Sequence, residues 1–106
     1  GTSCGACVAQ APIVNEIYSE LKDKFGVYGI FGPSLGFDKD IDMVRQHHIG
    51  YDVICDKVSV DYFSKAVGGV MGVPAIFVFD GEGNLKKRFI GLTPKATLEN
   101  EIKLVL

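Results

Sequence analysis

The chain has 106 residues, 47% of them hydrophobic and 23% charged, which is enough for one buried core and too short for two domains. Eleven basic residues stand against thirteen acidic ones and are scattered apart from Lys86-Lys87-Arg88, which argues against nucleic acid as a main partner. No stretch approaches the ~20 apolar residues of a membrane span, so no membrane contact is expected from this segment.

In chain order, the first cysteines come at once, Cys4 and Cys7 standing three apart where a helix begins. Val14, Ile17, Tyr18, Leu21 and Phe25 follow at helical spacing, with Asn15, Glu16, Glu20 and Lys22 on the remaining face. An amphipathic helix is therefore predicted from Cys4 to about Phe25, kinked or restarted at Pro12 and stopped at Gly26. The run 27–31 reads as a short buried strand closed by a loop over 32–36. A second helix is predicted from Asp38 or Asp40 to His48, with Ile41, Val44 and His48 on its apolar side and Gly50 as its stop. A second strand follows over 51–55, and Val60, Phe63 and Val67 mark a third helix ending at Gly68-Gly69.

From Ala75 the period changes to two. Segments 75–79 and 85–90 flank Asp80-Gly81-Glu82-Gly83-Asn84 and predict a hairpin, whose Lys86, Lys87 and Arg88 suit an exposed edge strand. Thr93 is expected to cap a last helix that starts at Pro94 and carries Leu98, Ile102 and Val105 on its apolar side. Tyr51, Tyr62 and the phenylalanines are read as core. Helices alternating with strands, then a hairpin and a helix, predict an α/β domain of three layers with a mixed sheet.

The cysteine pair carries the chemistry. Two cysteines at i and i+3 on a first helical turn are neighbours, so a disulfide can open and close between them with little backbone movement. Unpaired N–H groups and aligned peptide dipoles favour a thiolate at such a place. Cys4 is then the attacking thiol, and Cys7, one turn deeper, resolves the mixed disulfide that Cys4 forms with a partner. Gly5 and Ala6 between them are small and uncharged, leave room for a partner's backbone and help set the potential. Half of a metal site has the same spacing, with Cys55, His47 and His48 as further ligands for Cu(I) or Zn(II), and purely structural cysteines are the third reading. Cys55 itself is expected to be a buried, inert thiol.

A second motif narrows the choice. Val70, Gly72, Val73, Pro74, Phe77, Asp80 and Gly83 stand at the steps of a Val-x-Gly-Val-Pro-x-x-Phe-x-x-Asp-x-x-Gly pattern, and Pro12 lies five residues after the second cysteine. With Cys4-Gly5-Ala6-Cys7, the whole chain resembles the thioredoxin superfamily, in particular thiol-disulfide oxidoreductases of the TlpA/ResA type. The resemblance implies that Pro74 is cis and faces the cysteines, that Gly72, Val73 and Pro74 meet a partner's extended segment, and that no bound cofactor is needed. It implies protein thiols or disulfides as substrates, an upstream electron donor or acceptor protein, and a place outside the cytoplasm. A redox-inactive interaction domain with the same fold is the remaining reading.

Three positions depart from that pattern. Ser3 stands where the family usually has Trp, Gln10 stands where many members carry an acid, and only three residues precede Cys4 where the family has a strand. That strand would lie between those at 27–31 and 75–79. The chain, a single domain over 1–106, is therefore expected to be a fragment or to receive the strand from another copy.

Overall fold

Apolar residues at helical spacing and the absence of glycine between Ala6 and Leu21 produce helix α1, Gly5–Leu21, whose hydrogen-bond ladder begins with the Val8 N–H donating to the Cys4 carbonyl at 3.1 Å. The computed structural model describes residues 4–21, 23–31 and 35–106, so expectations resting on 1–3, Lys22 and 32–34 lie outside the described residues. Pro12 neither breaks nor restarts α1, because its ring sits on the exposed side of one continuous helix. The helix ends at Leu21 instead of Phe25, and the Lys24 N–H turns back to the Leu21 carbonyl at 2.8 Å. Phe25 still packs edge-on against Tyr18, so the apolar period runs on beyond the helix that it predicts.

Strand β1 (Tyr28–Ile30) pairs in parallel with β2 (Asp52–Ile54), and Gly29 is buried because any Cβ there would lie 2.9 Å from the Tyr51 ring. Helix α2 (Phe37–Gln46) carries Asp38 and Asp40 in its first turn and Arg45 in its last, as the helix dipole favours. It stops at His47, before Gly50. His48 takes a left-handed φ of 52° and is exposed, so it is not the core histidine that a longer helix would have made it. Helix α3 (Lys57–Ala66) is capped by the Asp56 carboxylate, which accepts the Ser59 N–H at 2.9 Å, and is closed by Gly68 and Gly69, both at positive φ. Tyr62 and Phe63 stack edge to face on the outside of α3, exposed by 67% and 40%, so neither is core.

Strands β3 (Ala75–Phe79) and β4 (Leu85–Ile90) form the predicted hairpin. Its loop is organised by Asp80, whose carboxylate accepts the N–H groups of Glu82 and Asn84, with Gly83 at φ 86°. Helix α4 (Lys95–Val105) follows, with Pro94 in the cap position. Thr93 does not cap it; its hydroxyl donates to the Gly91 carbonyl at 3.0 Å instead.

The class is α/β with both parallel and antiparallel pairing, distributed over two two-stranded sheets; among the described residues no ladder joins β1 to β3. The deepest side chains are Ile17 of α1 and Leu98 of α4, each 1% exposed. Polar ties secure α1 on two sides. Lys95 of α4 reaches Glu16 and Glu20 of α1 at 2.9 and 2.8 Å, and these carboxylates hold the ammonium well above its usual range. On the other side Asn15 grips the turn after α2, its amide donating to the His48 carbonyl at 2.7 Å and accepting the Gly50 N–H at 2.8 Å. The sequence places Asn15 on a solvated face; it is half-buried and structural.

Candidate active site

Cys4 stands immediately before α1 and Cys7 one turn inside it, their Cα atoms 5.2 Å apart and their sulfurs joined in a disulfide. The spacing lies within the usual range for such a bond. The Cys7 backbone N–H donates to Cys4 Sγ at 3.1 Å. That donor, at the positive end of the helix, stabilises negative charge on Cys4 whenever the disulfide opens. Both cysteines are half-buried, so exposure does not set them apart; the N–H aimed at Cys4 does. Gly5 and Ala6 are exposed, and a Cβ on Gly5 would meet nothing within 4 Å.

The second motif arrives at the same place. The Val73–Pro74 bond is cis, and the Val73 carbonyl oxygen lies 3.9 Å from Cys4 Sγ. A disulfide sulfur carries no proton, so this is a contact in the oxidised form and becomes available as a hydrogen bond when Cys4 is a thiol. Pro74 is buried, its carbonyl accepting the Gly91 N–H at 2.8 Å. Gly72 lies close to β4, where a Cβ would sit 3.4 Å from Ile90. In the segment that leads to this corner Val70, Met71 and Val73 are exposed by 44%, 94% and 61%. The fold thus brings Cys4, Cys7, Val73 and Pro74 together across 66 or more residues of sequence, with Gly72 on the flank.

Gln10 is the residue that sequence reasoning leaves unassigned. It is 4% exposed, its amide donating to the Thr93 carbonyl at 3.1 Å and accepting the Thr93 N–H at 2.8 Å. A signal was available: an amide three residues after Cys7 faces the same side of the helix as that cysteine and must find partners if buried.

The other polar candidates stand apart from the pair. Among the described residues, no group of three or more His, Cys, Asp or Glu side chains is arranged to hold a metal ion, and Cys55, His47 and His48 are not gathered at Cys4 and Cys7. Cys55 is half-buried, not buried, in a shallow hollow shared with Phe37, Ile41, Val44 and Tyr51. Desolvation, then the carboxylates of Asp40 and Asp56, push its thiol up, away from reactivity.

No family model matches the chain. It is 28% identical over 107 aligned positions to the thiol-disulfide oxidoreductase ResA of Bacillus thuringiensis (strain Al Hakam), a match covering 99% of this chain and 59% of that protein. The ResA of Bacillus anthracis matches to the same extent. The chain therefore spans less than two thirds of the length of these curated relatives. Among crystal structures, a thioredoxin-family thiol:disulfide interchange protein from Chlorobium tepidum TLS superposes with a TM-score of 0.79 at 19% identity, covering 99% of this chain and 74% of that one. Another from Chlorobium tepidum, described as a thiol:disulfide interchange protein DsbE, gives 0.82 at 23% identity, covering 98% and 73%. The superpositions show the thioredoxin fold, in which the cysteine pair meets its cis-proline corner, and along nearly its whole length the chain is similar in sequence to thiol-disulfide oxidoreductases of the ResA type.

Proposed function

We propose that the chain is a thiol-disulfide oxidoreductase that exchanges electrons with cysteine pairs of partner proteins, Cys4 and Cys7 alternating between dithiol and disulfide. The observation that carries this reading is the Cys4–Cys7 bridge at the helix start, with the Cys7 N–H on Cys4 Sγ and the Val73 carbonyl beside it. In the reducing direction the Cys4 thiolate attacks one sulfur of a partner disulfide. A Cys4–partner bond forms and the partner's other sulfur leaves as a thiolate. Cys7, deprotonated, then attacks Cys4 Sγ, the internal disulfide forms and the second partner sulfur is released. Two electrons pass to the partner, and the two protons lost by Cys4 and Cys7 end on its thiols. The oxidising direction is the same sequence reversed.

Gly72, Val73 and Pro74 are the edge along which an extended partner segment lies, and the exposed Val70, Met71 and Val73 support an apolar partner surface there. Gly5 and Ala6, exposed and without charge, let that segment approach and contribute to the potential. A second protein must return the pair to its starting state. The likeness to the TlpA/ResA type supports a setting outside the cytoplasm, and among the described residues no helix is long and apolar enough to cross a membrane.

Reduction of a protein disulfide by the pre-reduced chain, followed with the Cys4→Ser and Cys7→Ser variants, tests the reading. Cys4→Ser is expected to abolish exchange. Cys7→Ser is expected to accumulate mixed disulfides visible on non-reducing gels. Undiminished exchange in Cys4→Ser would sink the assignment.

A further inference from the structure

We propose that Gln10 is a positioning residue for the cysteine pair, its buried amide holding the Val73–Pro74 corner against Cys4 by way of Thr93 and Gly91. The path is a chain of short hydrogen bonds closed by one contact at the sulfur. Gln10 holds the Thr93 backbone through both amide atoms, at 3.1 and 2.8 Å. The Thr93 hydroxyl donates to the Gly91 carbonyl at 3.0 Å, and the Gly91 N–H donates to the Pro74 carbonyl at 2.8 Å. From Pro74 the chain steps back to Val73, whose carbonyl lies 3.9 Å from Cys4 Sγ. Five residues of α1 separate Cys4 from Gln10, so the circuit runs between the start of one helix and its second turn.

The chemistry of position 10 follows from its two bonds. Thr93 offers one donor and one acceptor in a site where Thr93 is 6% and Gln10 4% exposed. An amide satisfies both at once; a carboxylate can only accept, and an apolar side chain does neither. Cys4 Sγ lies between opposed influences. The Cys7 N–H favours the thiolate, whereas the Val73 carbonyl oxygen favours the protonated thiol, to which it can be an acceptor. No residue from Cys4 to Gln10, Val70 to Pro74 or Gly91 to Pro94 is charged, so these dipoles are not overridden by an ion on the segments that form the corner. Loosening the corner therefore removes the influence of the carbonyl and leaves that of the N–H.

The functional sense of this proposal rests on the exchange reading; its test does not. The reduced chain is alkylated with iodoacetamide across a pH series, and labelling at Cys4 is quantified by mass mapping, with circular dichroism to show that each variant is folded. In Gln10→Met and in Thr93→Val the labelling rate at a pH below the thiol's titration is expected to rise about three- to tenfold, as the loss of one modest hydrogen bond to the protonated thiol requires. Gln10→Glu is expected to keep the wild-type rate on the acid side, where its protonated carboxyl donates and accepts as the amide does, and to depart once it ionises. A general loss of stability would not produce this pattern. Thr93→Val leaves both Gln10 bonds in place and cuts only the hydroxyl link, so it carries the test if Gln10→Met does not fold. Wild-type profiles in folded Gln10→Met and Thr93→Val, or a Gln10→Glu variant unlike wild type in acid, would overturn the proposal. Absence of exchange with protein disulfides would end the functional reading and leave these labelling outcomes standing.

Discussion

Gln10 and Asn15 make the same pair of bonds, one side-chain amide gripping one backbone N–H and one carbonyl, but in different surroundings. Burial should decide the cost of removing each. Gln10→Met keeps the length of the side chain and leaves the Thr93 N–H and carbonyl without partners in a site 6% exposed. Each stranded buried group costs roughly 1–3 kcal/mol. The better burial of a thioether offsets about 1 kcal/mol of this, so a net loss of about 1–5 kcal/mol is expected. Asn15→Ala releases the His48 carbonyl and Gly50 N–H at an exposed turn, where water takes over the bonds. There each bond contributes only about 0.5–1.5 kcal/mol net. Alanine regains roughly 0.5 kcal/mol of helix propensity, which leaves a loss of about 0.5–2.5 kcal/mol. Urea unfolding of the oxidised proteins, compared at equal m-values, measures both. If Asn15→Ala costs as much as Gln10→Met, burial is not what distinguishes the clamps and the reasoning fails.

Two further expectations concern ionisation. The Ser59 N–H holds the Asp56 carboxyl below the usual carboxylate range, so its capping of α3 is fully present above the unfolded value and is lost as pH falls through the lower folded one. Asp56→Asn, which still accepts that N–H, should lose less stability than wild type between neutral pH and about pH 3; an equal loss measured by urea midpoints would refute the cap's part in it. Burial and the Asp40 and Asp56 carboxylates push the Cys55 thiol up, so limited alkylation of the reduced chain near neutral pH should label Cys4 well before Cys55. Equal labelling in a peptide map would contradict the assignment of Cys55 as inert.

Local signals carried most of the elements. Apolar spacing located α1 through α4, and the change to alternating residues at Ala75 located the hairpin, because side-chain burial imposes those periods on helices and strands. The errors lie at ends. Phe25 and His48 continued an apolar period after the hydrogen-bond ladder had stopped, and Thr93 resembled a cap while its hydroxyl was engaged elsewhere. Tyr62 and Phe63 showed that an aromatic at helical spacing can stack with its neighbour on the outside.

By itself the sequence determined the cysteine pair and its place at a helix start, since these depend on residue type and short spacing, whereas the proline that meets the pair was implied by the resemblance that the two motifs carry together. It also showed Gln10 to be neutral. Only the tertiary structure decided what that neutrality is for. The donor and acceptor that Gln10 needs belong to Thr93, 83 residues away, and the carbonyl that reaches Cys4 belongs to Val73, 69 residues away. Hydrogen bonds across such separations are chosen by how α1, the hairpin and α4 pack, and no local period in the chain records them.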